Sequence, residues 1–240
     1  MNGVDLDRLF SLQRAAFARE RYPDLRTRVD RLARLKSLVT DNEARFAAAV
    51  DSDFGDRSEH ETRLAELYIV AAEIADAQAN LPRWMRSERV ATPLHLQPGR
   101  ARIERQPLGV AGIISPWNYP VQLALAPALG ALAAGNRVLL KPSELTPATS
   151  ALLHELVAAR FGEDEFAVVL GDAQVGQAFT RLPFDHLFFT GSTVVGRHVA
   201  LAAAENLTPV TLELGGKSPA LFAPTPISRF ARRGSCRASC

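Results

Sequence analysis

Four short segments carry residues whose types and spacing could do chemistry. In ISPWNYP, Pro116 and Pro120 restrict the turn around Asn118, whose side-chain N–H can then be aimed at an oxyanion. In LLKPSE, Lys141 and Glu144 stand three residues apart across a proline turn, where an ammonium donor and a carboxylate acceptor can grip a ribose diol. In FFTGSTVVG, Gly191 allows a tight turn, Ser192 opens a helix and Gly196 lets that helix pack closely. A helix amino terminus after a glycine turn is an anion site suited to a pyrophosphate, and the spacing is a relative of the dinucleotide fingerprint. In LELGGKSP, Glu213 lies between two leucines, where partial burial would lift its pKa toward that of a general base. Each segment also has a plainer reading: a strand-to-helix cap, a surface ion pair, a helix-start turn and a satisfied buried acid.

The elements that must position these residues follow from periodicity. Residues 5–51 carry apolar positions at helical spacing among many arginines, as in Leu6, Leu9 and Phe10, then Leu32, Leu35, Leu38 and Val39. A second helical stretch covers 58–84, with Ser58 and Glu61 as a capping box. From Thr92, LHLQPGRARIERQ alternates loosely around Pro98-Gly99 and reads as an exposed β-hairpin, an arm for pairing with another subunit. Beyond Leu108, short apolar runs at 110–114, 137–140, 166–170, 186–189 and 210–212 read as buried strands. They alternate with helical stretches at 121–134, 147–159, 175–181 and 194–204. That alternation predicts an α/β fold, a Rossmann-like doubly wound parallel sheet, with N-terminal helices and the hairpin arm beside it. All four chemical segments follow strands, at the carboxyl ends where such sheets bind ligands. The expected division is 1–91 helical, 92–107 hairpin arm, 108–213 dinucleotide-binding, and 214–240 the start of a further domain with an aberrant tail.

Composition narrows the partners. Of 240 residues 47% are hydrophobic and 22% charged, and the formal charge of +2 gives no call for nucleic acid or an anionic membrane. No run of eighteen apolar residues is present, and MNGVDLDRLF lacks the pattern of a secretory signal, so a cytoplasmic setting is expected. The two cysteines, Cys236 and Cys240, lie in the tail and make no disulfide framework. No metal site is expected.

In order and spacing, the four segments resemble the aldehyde dehydrogenase superfamily over about residues 5–222. The stretch 93–147 is most similar to bacterial coniferyl aldehyde dehydrogenases. The resemblance implies that Asn118 stabilises a thiohemiacetal oxyanion and Glu213 deprotonates the hydrolytic water. It implies that Lys141 and Glu144 hold the adenosine ribose, that Gly191, Ser192 and Gly196 shape the pyrophosphate site, and that Pro116 and Trp117 lie on the cofactor side of their loop. The cofactor is expected to be NAD, with NADP as the alternative, the substrate an aromatic aldehyde, and the assembly a homo-oligomer, a dimer. The reaction is thiolate attack on the aldehyde, hydride transfer to the cofactor, and hydrolysis to the acid.

The resemblance also implies a nucleophilic cysteine in a Gly-Gln-x-Cys segment some thirty-odd residues past Glu213, and this sequence has none. The tail PTPISRFARRGSCRASC has little helical periodicity. With codons CCG-ATC-TCG, GGA-TCG-TGC and GCA-AGC-TGC for Pro-Ile-Ser, Gly-Ser-Cys and Ala-Ser-Cys, one neighbouring frame reads Asp-Leu, Ile-Val and Lys-Leu. The expectation is therefore a frameshifted, truncated chain without aldehyde oxidation of its own. Three functions stand open: an aldehyde dehydrogenase by descent, an inert dinucleotide-binding fragment, which the chain as written favours, and a regulatory module that pairs with full-length subunits.

Overall fold

The computed structural model describes residues 5–216 and Pro219, so the expectations for the tail, with Cys236 and Cys240, fall outside the described residues. Helices α1 (Leu6–Arg19), α2 (Leu25–Thr40) and α3 (Glu43–Phe54) come first. The carboxylates of Asp5 and Asp24 start α1 and α2 by accepting the N–H groups of Arg8 and Thr27, at 2.9 and 2.8 Å. The chain then runs through α4 (Glu59–Thr62), a π-helical turn (Arg63–Tyr68) and α5 (Ile69–Trp84). The expected capping box does not form. Ser58 stands at the N-cap position but makes no side-chain cap bond, and the Glu61 carboxylate turns instead toward Arg57 and the Tyr119 hydroxyl.

The hairpin also differs from expectation. Its strands are β1 (Glu88–Val90) and β2 (Ala101–Ile103), paired antiparallel with Glu88 opposite Ile103, so the arm begins before Thr92. Leu94–Leu96, expected to be a strand, is a single 3₁₀ turn between Pro93 and the Pro98-Gly99 bend. Proline on either side removes ladder donors, and a short turn tolerates that better than a strand.

The sheet is as expected. Strands β3 (Val110–Ile114), β4 (Arg137–Lys141), β5 (Phe166–Val168), β6 (His186–Gly191) and β7 (Val210–Leu214) are all parallel, in the order β5-β4-β3-β6-β7. The crossover helices are α6 (Gln122–Ala134), α7 (Pro147–Arg160), α8 (Ala173–Thr180) and α9 (Thr193–Ala204). Alternation along the strands divides the core in two. Ile113, Val138, Leu140, Phe166 and Val168 pack with α2, α3, α5, α6 and α7. Val110, Leu139, Ala167, Leu187 and Phe189 pack on the opposite face with α1, α8 and α9. The left-handed C-cap Gly135 (φ +94) ends α6 where a Cβ would stand 2.9 Å from the Arg28 guanidinium carbon.

A buried ionic cluster fastens α2 to the amino-terminal edge of the sheet. Arg31, 1% exposed, donates to Glu165 at 2.9 Å and Glu20 at 3.1 Å; Arg34 adds a 2.8 Å bond to Glu165, and Arg137 one of 2.9 Å to Glu20. Burial pushes the Glu165 carboxyl up, but the hydrogen bonds and charges of Arg34 and Arg31 outweigh it and hold the group below its ordinary value. A carboxyl with a depressed folded-state pKa stabilises fully above the ordinary glutamate range and loses that contribution as pH falls through its folded value. Glu165→Gln should therefore cost about 2 kcal/mol at neutral pH, with the gap to the parent closing as pH falls below the ordinary glutamate range. Urea unfolding across that range checks this; a gap independent of pH would mean that the charge is not its source.

Candidate functional site

The strand order places the candidate residues. From β3 the chain winds outward through β4 and β5, then returns to β6 on the other side of β3, so the β3–β6 crevice is a switch point whose carboxyl edge binds ligands in such sheets. Asn118 follows β3, Lys141 ends β4, Gly191 ends β6 and Glu213 lies near the end of β7. Ile114 pairs with Lys141 on one side and Phe189 on the other, and Thr190 with Glu213. All the expected residues thus meet at one edge.

They divide between the two faces of that edge. Lys141 shares the parity of Leu139 and runs beside α8; its Cε lies 3.9 Å from where a Gly176 Cβ would stand. It is 3% exposed and donates to the exposed Glu144 at 2.5 Å, so a buried ammonium is paired with a carboxylate at the surface. Burial alone would raise the Glu144 carboxyl, but the Lys141 hydrogen bond and charge hold it below the ordinary value. An ammonium with further N–H donors beside a carboxylate kept charged fits a vicinal diol.

On the same face, Ser192 caps α9 by accepting the Val195 N–H at 3.3 Å, and Val194 in the first turn is exposed. Helix starts leave N–H groups directed outward, and this one suits an anion. Gly196 is needed for packing, since a Cβ would fall 2.7 Å from Leu214 Cδ2. Gly191 is required for a different reason than the expected turn. It belongs to β6, is not left-handed, and leaves room for the Phe189 ring 2.6 Å from where its Cβ would be.

The other face holds Asn118 and Glu213. Glu213 is exposed, contrary to the expected partial burial. Its neighbours Leu212 and Leu214 turn toward α9, which sends Glu213 to the opposite face. Asn118 and Trp117 are exposed on the loop between β3 and α6, with Pro116 half-buried and Trp117 leaning on Phe54 at 6.1 Å between ring centres. The regular helix begins at Gln122, two residues past Pro120, although the Leu123 N–H already reaches the Tyr119 carbonyl at 3.0 Å.

Three residues around this edge had not been singled out. Neither α6 nor α7 is capped by its own N-cap side chain. Glu66, fully buried in the π-helical turn, accepts the Val121 and Gln122 N–H groups at 2.7 and 3.2 Å. Asp53, at the end of α3, accepts the Ala148 and Thr149 N–H groups at 2.9 and 2.8 Å and the Thr149 hydroxyl at 2.7 Å. Arg57 donates to the Asn118 carbonyl at 2.7 Å. Burial drives the Glu66 carboxyl above its ordinary value, opposed by its two backbone hydrogen bonds and by Arg57. A sequence signal for Glu66 existed: it stands four residues before Val70, in line with Ile74, Ala77 and Leu81 on the buried stripe of α5.

A cavity of about 410 Å³ lies elsewhere, between α2, α5 and the carboxyl half of α6, against Trp84, Met85 and Leu129. It touches none of the four segments, and the chemistry of the residues, not cavity size, locates the candidate site.

Comparison with known proteins agrees with this fold. Residues 2–225 match the model of the aldehyde dehydrogenase family. The chain belongs to that family. A probable coniferyl aldehyde dehydrogenase of Pseudomonas aeruginosa is 51% identical over 95% of this chain and 48% of its own length. Among solved structures, a substrate-bound state of Staphylococcus aureus AldH superposes with a TM-score of 0.87 at 37% identity, covering 91% of this chain and 47% of that one. Aldehyde dehydrogenase C of Pseudomonas syringae, solved with NAD+ and octanal, gives 0.78 at 33% identity, over 92% and 44%. The chain spans about half the length of the curated relatives it matches.

The Lys141–Glu144 pair yields a direct test. In carbon-detected titrations the Glu144 carboxyl should have its midpoint below that of an ordinary glutamate. Lys141→Met should move the midpoint upward, because the hydrogen bond and the charge that the lysine sets against burial are both lost. An unmoved midpoint would show that the pair does not control the charge at this site.

Proposed function

We propose that the chain binds a nicotinamide dinucleotide, NAD in preference to NADP, as the cofactor-binding part of an aldehyde dehydrogenase acting on an aromatic aldehyde such as coniferyl aldehyde. One observation carries this reading: the Lys141–Glu144 pair and the open first turn of α9 lie on the same face of the sheet's carboxyl edge, flanking the β3–β6 crevice. Lys141 donates to the adenosine ribose hydroxyls and Glu144 accepts from them. The step from Gly191, the last residue of β6, to Ser192 and the helix that Gly196 lets pack down offer amides to the pyrophosphate, and Pro116 and Trp117 flank the cofactor. When bound, the nicotinamide ring supplies the hydride acceptor. The Asn118 side-chain N–H stabilises the developing oxyanion, and Glu213 on the same face takes the proton of the hydrolytic water. Two further features complete the proposal: the β1–β2 arm serves a dimer, and the setting is cytoplasmic. Among the described residues no helix is long and apolar enough to cross a membrane.

A second reading, dinucleotide binding without oxidation, is favoured by one fact: residues 1–235 contain no cysteine, so the described edge offers an oxyanion donor and a base but no thiol. Calorimetric titration tests the shared part. NAD should bind, and Lys141→Met should weaken it roughly tenfold through loss of a charge-assisted hydrogen bond. Glu144→Ala should narrow the preference for NAD over NADP, because a charged carboxylate repels a 2′-phosphate. Failure of NAD to bind, or indifference to both substitutions, would remove these residues from a cofactor site. NAD reduction with coniferyl aldehyde separates the two readings. Turnover abolished by Cys236→Ser supports oxidation by this chain, and binding without turnover supports the second reading.

A further inference from the structure

We infer that Arg57 and Glu66 are positioning residues, a clamp built from the N-terminal helices that fixes the loop carrying Asn118. The inference deepens the reading above and rests on Asn118 acting as an oxyanion donor. An amide on an exposed loop can serve that purpose only if its backbone is held, since donors must lie about 2.7–3.1 Å from the oxyanion and a misplacement near 1 Å costs on the order of a hundredfold.

The loop is held at three points. At its start the Ser115 N–H donates to the Lys141 carbonyl at 3.2 Å. At its end the Val121 and Gln122 N–H groups both donate to one oxygen of Glu66, at 2.7 and 3.2 Å. In the middle, Arg57 donates to the carbonyl of Asn118 itself at 2.7 Å, leaving the exposed side chain of that residue directed elsewhere.

Arg57 is well placed for this work. Its guanidinium lies 3.9 Å from the Phe54 ring centre and 5.0 Å from that of Tyr119, a loop residue, so the arginine is sandwiched between anchor and load. Its side chain is 13% exposed, and its charge is met by the other oxygen of Glu66 at 3.5 Å and by Glu61 at 3.9 Å. That Glu66 oxygen has no hydrogen bond of its own, so the arginine is its remaining compensation. The pair is mutually dependent, and it reaches the loop by both a side-chain carboxylate and a side-chain cation. The geometry comes from a π-helical turn, Arg63–Tyr68, whose extra residue per turn aims Glu66 at the start of α6; such turns recur at functional sites.

The test compares the ¹⁵N-labelled 240-residue chain with Arg57→Lys and Glu66→Gln. Arg57→Lys keeps the charge but loses the planar group that stacks and donates at once. It should lower the backbone order parameters of Trp117, Asn118 and Tyr119 from the rigid range near 0.85 toward 0.6 or less, while the Val121 and Gln122 amides stay protected. Glu66→Gln should speed hydrogen exchange at Val121 and Gln122 at least tenfold, leaving Ala148 and Thr149, which Asp53 caps independently, unchanged. Unchanged order at 117–119 in Arg57→Lys would overturn the clamp. So would equal loss of protection at both helix starts in Glu66→Gln, the mark of a merely structural role. Should Glu66→Gln fail to fold, Arg57→Lys alone decides. Loop order is read without turnover, so failure of the clamp differs from failure of the proposed reaction. The latter would appear as aldehyde oxidation indifferent to Asn118→Ala.

Discussion

Two carboxylates from the N-terminal helices hold the amino termini of the two helices that leave the site. A helix start exposes N–H groups with no partner inside the helix, and α6 and α7 do not satisfy theirs with their own N-cap side chains. Glu66 and Asp53 supply what is missing, and in return each carboxylate gains partners in the interior. The loops on which Asn118 and Glu144 depend are therefore shaped by residues 53–66, outside the five-stranded sheet. At the opposite edge Arg31 and Arg34 bind Glu165, and Arg137 joins through Glu20, so the helical layer is fastened to both ends of the strands. The N-terminal helices and the sheet share one core, built around Leu32, Leu35, Ile74, Leu125 and Leu140.

The site follows from this frame and from strand alternation. Side chains of successive residues point to opposite faces, so Lys141 falls beside α8 while Glu213 faces away from α9. The residues suited to a ribose and a pyrophosphate collect on one face, and those suited to an oxyanion and a proton on the other. The crevice between β3 and β6 joins the two, which is where a ligand spanning both would cross.

Much of the architecture was legible in the sequence because buried parallel strands are continuous apolar runs between turn residues. Val110–Ile114 stands where its pattern placed it, and Arg137–Lys141 extends its run by only the lysine. Exposed structure was harder to read. Glu88–Val90 is exposed at every position and carries no pattern, whereas Leu94–Leu96 looked strand-like but lies between prolines. Glu213 escapes the burial that its flanking leucines suggest, because in a strand they bury the other face. The partners of Glu66 lie 55 and 56 residues away, so only the fold reveals that an acid on an apolar stripe is a cap.

Backbone hydrogen exchange measured with and without NAD tests the central claim, that a dinucleotide lies across the carboxyl edge of the sheet. Bound NAD should add protection at three separated places together, residues 115–119, 141–145 and 191–196, with none at Gly135 and Asn136 on the opposite edge. Protection confined to the cavity beside Trp84 and Met85, or no change at those three loops, would contradict it.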